Sequence, residues 1–441
     1  MPSPRIKVKF TVRIIQITPG AGKMYCGNCF RDNALVAALR KEGHEVTMVP
    51  LYLPLTLDEE DQSRETPIFF NGVNVYLEQQ SSFYRNAPRW LHKMVGSEKV
   101  LNWAAKQVGK TKAEEVGELT ISMLNGEEGN QARELEELID WLATQPKPDV
   151  VLLSNSLLLG FTRRLKEALG IPVICLLQNE APYIDSMPEE LRAQVWRIMA
   201  DRARETDQFI APSNFYAEHM REKLKLPEDR LHVIYNGINH EGFDAENISP
   251  TPPVIGFFSR MCKDKGLDTL VDAFIRLKTN NHIPQLKLKI GGGCGPTDEA
   301  FVQRMRERLH AKALLGDVEF HPNLSREEKQ DFLRSLSVLS VPAQFGEAFG
   351  FYVIEAMAAG VPVVQPRCAS FPELIEATGG GVVYDHQGTE SLATALEKML
   401  HNPSEAKLLG LKARETVRKN FSITKMAKQL VSLLDKLTKS N

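Results

Sequence analysis

Glu347 and Glu355 lie in the stretch Gln344–Gln365 with seven residues between them, and each has a setting that suits ligand chemistry. Glu347 sits in a glycine-containing loop, Gln-Phe-Gly-Glu-Ala-Phe-Gly, and Glu355 falls inside the helix that this loop starts. Gly360 and Pro362 stop the helix, and Val361–Gln365 then reads as a short buried strand. A helix N-terminus gathers unpaired N–H groups and partial positive charge, so it favours bound phosphate. At ~1.5 Å rise per residue, Glu355 falls roughly 8 Å down the helix from its first turn. One carboxylate therefore precedes the anion site and the other lies beyond it. That spacing suits a ligand with a polyhydroxyl group on either side of a diphosphate, such as a nucleotide sugar.

Two cations stand in a comparable place. Arg260 and Lys265 follow the apolar run Val254–Phe258, where a guanidinium fork and an ammonium can together neutralise a diphosphate. Two surface cations alone would mean little; their weight comes from sharing a domain with Glu347 and Glu355. Gly291, Gly292 and Gly293 end the next strand, where missing side chains would let a ligand approach the backbone; a plain turn is the competing reading. Nearer the N-terminus, Pro19–Cys29 carries Gly20 and Gly22 between a strand and a helix. It lacks the spacing of a nucleoside-triphosphate phosphate loop and reads instead as a glycine-rich loop reaching toward a cleft. Cys26 and Cys29 have redox or zinc spacing, but no second pair or Cys/His cluster completes a zinc site, so they read as structural thiols. No Asp-x-Asp motif occurs, so neither a metal nor another cofactor is expected.

These residues need a scaffold that presents strand ends. Continuous apolar runs alternate with amphipathic helical patterns, which predicts parallel sheets covered on both faces. The strand candidates include Val12–Thr18, Glu45–Leu51, Val73–Leu77, Val150–Ser154, Val173–Leu177, Val254–Phe258, Leu286–Ile290, Val338–Val341, Val361–Val364 and Gly381–Tyr384. Ala245–Pro253, rich in proline and without apolar periodicity, reads as a linker. The expected fold is α/β: two doubly wound, Rossmann-like domains facing across a cleft. The first would span residues 1–248 with a helical insertion at about 81–148, the second residues 253–420, and a final helix residues 421–441. The 441 residues are 43% apolar and 25% charged, as in a soluble globular protein, and the net charge of -2 excludes a globally basic nucleic-acid binder. Charge is uneven: nine acidic residues face only Arg133 across Glu114–Asp140, and nine Lys/Arg face Glu415 and Asp435 across Lys407–Lys439. Such runs read as solvated helix faces, while the basic end also suits peripheral contact with an anionic membrane. Lys7, Lys9 and Arg13 interrupt any signal-peptide core, and no apolar run spans a bilayer. With six sparse cysteines, the expected location is the cytoplasm, with the inner membrane face as a peripheral site.

The run Glu347-Ala-Phe-Gly350 to Glu355-Ala-Met-Ala-Ala-Gly-Val-Pro-Val-Val, with Arg260 and Lys265, Asn236-Gly-Ile-Asn239 and Gly43-His-Glu-Val46, resembles the retaining glycosyltransferases of family four, whose two-domain fold is called GT-B. The likeness covers nearly the whole chain and is strongest over 205–390. It implies a hexosyl-transferring enzyme with a nucleotide-sugar donor and a glycan, lipid-linked or small-molecule acceptor. By matched position, Glu347 would hydrogen-bond the donor sugar and Glu355 the ribose. Arg260 and Lys265 would stabilise the departing diphosphate, and backbone amides of Phe349, Gly350 and Phe351 would complete the phosphate site. Gly292, Gly20 and Gly22 would border the donor, and Gln178, Asn179 and Tyr183 the acceptor side. Family members commonly carry a His where this chain has Gln178, a neutral amide that cannot act as a base near pH 7. Aromatic residues Phe83, Tyr84 and Trp90 in the insertion are further acceptor candidates, with a packed core as the alternative. Two other functions fit the donor residues: a nucleotide-sugar epimerase of the same fold, and a non-catalytic nucleotide-sugar-binding protein.

Overall fold

Residues 11–20, 27–53, 57, 59–70, 75, 79, 113–243, 250–281, 283–385 and 388–439 are described by the structure, a computed structural model. Among the described residues, the apolar runs become twelve strands in two all-parallel, six-stranded sheets. The first sheet contains β1 (Arg13–Thr18), β2 (Glu45–Pro50), β3 (Val150–Leu153), β4 (Val173–Leu176), β5 (Gln208–Ala211) and β6 (Leu231–Val233). The second contains β7 (Val254–Phe258), β8 (Lys287–Gly292), β9 (Val318–Pro322), β10 (Val338–Leu339), β11 (Val363–Pro366) and β12 (Gly381–Tyr384). Central strands such as β3, β4 and β7 are buried at every residue. Burial on both faces explains their continuous rather than alternating hydrophobicity.

The spatial order is β2-β1-β3-β4-β5-β6 in one sheet and β12-β11-β10-β7-β8-β9 in the other. The second is the doubly wound order of a dinucleotide-binding fold. Succession reverses between β1 and β3 in the first sheet and between β7 and β10 in the second. In open α/β sheets, ligands bind beyond the carboxyl ends of the strands at such reversals.

The chain forms two compact units. One comprises Met1–Ala211, Met220–Ile234 and Met426–Asn441; the other comprises Pro212–His219 and Tyr235–Lys425. Tyr235–Phe243 belongs with the second because Ile238 and Phe421 exchange into one ladder: the Ile238 N–H donates to the Phe421 carbonyl at 2.9 Å, and the Ile423 N–H returns to Ile238 at 2.9 Å. Phe243 then enters the second unit's core beside residues such as Phe257, Phe274, Val353 and Leu396. Candidate strand Val73–Leu77, apart from Val75, lies outside the described residues, as do 81–112 of the expected insertion and 244–249 of the expected linker. The remainder of that insertion holds helices Ala113–Asn125 and Ala132–Thr144.

Several boundaries shift from expectation by a residue or two, and three differences stand out. β10 pairs for two residues only, because the chain turns away into the Glu347 loop. β11 starts at Val363 rather than Val361, since the Val361 N–H donates to the Ala356 carbonyl at 2.9 Å and the Gly360 N–H to Met357 at 2.9 Å. That pair of bonds closes the preceding helix in a Schellman motif. The first helix starts at Gly27, inside the Pro19–Cys29 stretch expected to precede it.

Candidate active site

At the reversal of the second sheet, β7 runs through Ser259 and Arg260 into a turn at Lys263–Lys265 and then the helix Leu267–Thr279. β10 runs through the Glu347 loop into the helix Phe351–Ala358. The two connections pack backbone against backbone at Gly266, whose φ is +72°. A Cβ there would lie 2.0 Å from the Pro342 carbonyl oxygen, so only glycine lets the turn approach this closely. The Gln344 N–H donates to the Asp264 carbonyl at 2.9 Å and ties the connections again. The result places the Lys265 ammonium 2.5 Å from Glu347 Oε1, with both side chains mostly buried. Tyr352 donates its hydroxyl to the same oxygen at 3.3 Å. Burial, and next the Glu347 charge, push that phenol well above its ordinary pKa and keep it a donor.

Serines hold the loop itself. Ser370 donates its N–H to the Glu347 carbonyl at 3.2 Å and its hydroxyl to Phe349 at 3.0 Å, and Ser213 donates to Ala348 at 2.6 Å. Phe349 is buried edge-on to Phe351, with ring centroids 5.4 Å apart. Gly350 is the N-cap of Phe351–Ala358 and contributes no side-chain cap, so the first-turn N–H groups and the positive end of the helix dipole lie next to Lys265–Glu347 in sequence and fold.

Arg260 is held from the other side. Its Nη2 lies 2.9 Å from Asp298 Oδ1, its Nε donates to Oδ2 at 3.0 Å, and Nη2 also reaches Thr297 Oγ1 at 3.3 Å. Asp298 is buried, while the Arg260 side chain is 59% exposed. Gly292, with φ +119°, serves this loop: a Cβ would lie 2.1 Å from the Ser259 carbonyl oxygen. Its missing side chain thus admits the backbone that carries Arg260. Glu355 does not meet the other three; its Oε1 accepts from Lys329 Nζ at 2.8 Å, in a pair that is 13% and 5% exposed. Sequence reading missed Asp298, Tyr352 and Lys329.

In the first unit, Gly20 follows β1, and a Cβ there would lie 2.1 Å from the Leu53 carbonyl oxygen. Gly22 and Cys26 lie outside the described residues, as do Phe83, Tyr84 and Trp90; Cys29 is buried in the helix Gly27–Lys41. Gln178 is buried just beyond β4. With its amide oxygen turned toward Arg31, it accepts from Nη2 at 2.7 Å and Nε at 3.1 Å, and its NH2 donates to Asn28 Oδ1 at 3.2 Å. Asn179 is the N-cap of Glu180–Asp185. Tyr183 is 36% exposed, with its hydroxyl 2.8 Å from that of Thr120. Beneath Gln178 lies a polar cluster that sequence reading also missed. Buried Asp32 accepts from Arg31 Nε at 2.8 Å, from Thr18 Oγ1 at 2.5 Å and from the Ser154 hydroxyl. Arg31 Nη2 also donates to the Ser154 carbonyl at 3.2 Å. Thr18 and Ser154 end β1 and β3, so this cluster sits at the first sheet's reversal. The available signal was Arg31-Asp32-Asn33, three polar residues in a row, all buried in their helix.

Comparison with known proteins bears on both halves of the chain. The family of glycosyl transferases group 1 matches residues 239–416, and glycosyltransferase family 4 matches residues 109–241. An MMP alpha-(1->4)-mannosyltransferase of Mycolicibacterium hassiacum is 25% identical over 69% of this chain and 79% of its own length. A D-inositol 3-phosphate glycosyltransferase of Rhodococcus opacus is 24% identical over 53% of this chain, which spans about half (52%) of that relative. Among solved structures, a sucrose-phosphate synthase from Thermosynechococcus elongatus superposes with a TM-score of 0.71 at 19% identity, over 98% of this chain and 100% of that one. Anabaena HepE, solved with UDP and glucose, gives 0.66 at 15% identity over 96% and 100%. With the two family matches meeting near residue 240 and the two-sheet architecture shared along almost the full length, the chain belongs to the family-four glycosyltransferases and has their GT-B fold.

Proposed function

We propose that the protein moves a hexosyl group from a nucleoside-diphosphate sugar to an acceptor hydroxyl with retention of anomeric configuration. The observation that carries this reading is the Lys265–Glu347 contact at the β7/β10 reversal, beside the uncapped start of Phe351–Ala358. The diphosphate would lie over that helix start, where Lys265, Arg260 and the Phe349–Phe351 amides meet its charge. Glu347 would turn to the sugar hydroxyls and Glu355 to the ribose. The bond from the anomeric carbon to the β-phosphate oxygen breaks, and its electron pair leaves with the diphosphate. The acceptor oxygen bonds to the same face of the oxocarbenium-like carbon, and its proton passes to the departing phosphate oxygen. The cations and helix start supply the electrostatic stabilisation, so no metal enters this scheme.

The reading is supported further by mannosyl- and glycosyltransferase relatives and by the UDP bound in HepE. Its acceptor would be a glycan, a lipid-linked sugar or a small molecule, reached in the cytoplasm or at the membrane's inner face. Among the described residues no helix is long and apolar enough to cross a membrane. The test is to assay Arg260→Ala and Lys265→Ala for diphosphate binding and turnover. Each should weaken nucleoside-diphosphate binding about 3- to 30-fold and slow transfer about 100-fold or more. Unchanged affinity and rate in both variants would sink the assignment.

A further inference from the structure

Glu355 is held asymmetrically. Lys329 takes Oε1 at 2.8 Å, while Oε2 accepts no hydrogen bond among the described residues and the side chain keeps 13% exposure. Lys329 comes from Arg326–Arg334, a helix fixed at its start by a capping box between Ser325 and Glu328. The same helix is anchored where Arg326 donates to the Asn239 carbonyl at 3.0 Å and Gln330 to Glu241 at 2.9 Å. The ammonium is therefore presented from a rigid platform. A buried ion pair contributes little net stability compared with an apolar pair of the same size, because desolvation offsets the attraction. A pair with one carboxylate oxygen left open fits a binding role better than a structural one.

We propose that Lys329 is a specificity-determining positioning residue. It holds Glu355 in one rotamer, so that the open carboxylate edge selects a vicinal diol, and hence ribo- over 2′-deoxyribonucleoside diphosphates. The proposal rests on the nucleoside-diphosphate reading above. A pinned, charged acceptor gains from each hydroxyl donated to it, and the loss of one hydroxyl leaves that acceptor unpaired. Without Lys329, Glu355 is free to rotate, and both nucleotides then meet a poorly placed acceptor.

The experiment is calorimetric titration of the full chain with UDP and GDP and with their 2′-deoxy counterparts. For whichever base binds, the wild type should prefer the ribonucleotide by about 10- to 100-fold. Lys329→Met should bring that ratio to about threefold or less by weakening only the ribonucleotide, and Lys329→Arg should restore it. Because Lys329→Met leaves a buried carboxylate unpaired, Lys329→Met/Glu355→Gln serves as the second variant. Both charges are gone, so it should melt near wild type with the same reduced ratio. A full ratio in either methionine variant, or equal weakening of ribo and deoxy forms, overturns the proposal. If the wild type binds no nucleoside diphosphate of any base, the functional reading itself falls, and this outcome is distinct from the others.

Discussion

Glu347 and Lys265 pair with each other at 2.5 Å, away from most solvent. In the proposed scheme a diphosphate drawing on Lys265 would break this pair, and the same event would release Glu347 toward the sugar. The exchange predicts effects of opposite sign from one substitution. Glu347→Gln frees the ammonium and should raise nucleoside-diphosphate affinity by about 3- to 10-fold in calorimetry, the range expected for a partly buried charge pair. Transfer at saturating donor should fall about 100-fold or more, because the sugar loses its acceptor. Weaker diphosphate binding in this variant would mean that the carboxylate supports the phosphate indirectly and that the exchange does not occur. In the first unit the corresponding decision concerns Asp32, whose carboxylate is fully buried and serves Arg31, Thr18 and Ser154. Asp32→Ala leaves a guanidinium buried without its counter-charge and should cost about 3–5 kcal/mol of stability, read as an earlier urea transition. Gln178 would change with it, since its oxygen rests on the same guanidinium.

Gly266 shows how elements rather than motifs place these side chains. Its backbone lies in the left-handed region against Pro342, so Gly266→Ala combines a poor φ with a carbonyl oxygen 2.0 Å from the new methyl. The expected loss is roughly 2 kcal/mol or more, together with weaker diphosphate binding as Lys265 is displaced. Gly316→Ala, where a Cβ meets nothing within 4 Å, is the matched control and should stay within about 0.5 kcal/mol. The same distinction separates what was legible in the sequence from what was not. Strands β7 and β12 fall where Val254–Phe258 and Gly381–Tyr384 were expected, since apolar runs bounded by proline or glycine carry their own limits. β11 shifted because an N–H of the expected strand closes the preceding helix. Glu347, Glu355, Arg260 and Lys265 could be nominated from the sequence as candidates because each sits in a local pattern of loop, glycine and helix. Their partners were not: Lys329 reaches Glu355 across 26 positions and Asp298 reaches Arg260 across 38, and no local pattern marks either. Arg31 and Asp32 were adjacent and still escaped notice. What gives them meaning is Ser154, brought from 122 positions beyond Asp32 by the pairing of β1 with β3.

Whole-molecule behaviour can be divided between the units because the chain distributes its probes unequally. All four tryptophans, Trp90, Trp103, Trp141 and Trp196, fall in the unit that includes Met1–Ala211. The proposed donor-site residues Arg260, Lys265, Glu347 and Glu355, with Lys329 behind Glu355, fall in the unit that includes Tyr235–Lys425. Tryptophan fluorescence therefore reports the first unit's unfolding, whereas far-ultraviolet circular dichroism reports both. A ligand that binds only the folded state adds about 2.7 kcal/mol at a hundred times its Kd. For a unit of this size, that is a rise of about 5–10 °C in its melting transition. A panel of UDP-, GDP-, ADP- and dTDP-sugars should thus contain a donor that moves part of the dichroism transition by this amount. The same donor should leave the tryptophan midpoint unchanged within error. Lys265→Ala should cut the shift to roughly a third to three-quarters of its wild-type size while Gly316→Ala keeps it in full, which ties the response to the proposed site rather than to nonspecific binding. A donor that instead moved the tryptophan midpoint, with dichroism lagging, would place its contacts in the first unit and overturn the assignment of the β7/β10 reversal as the nucleotide site.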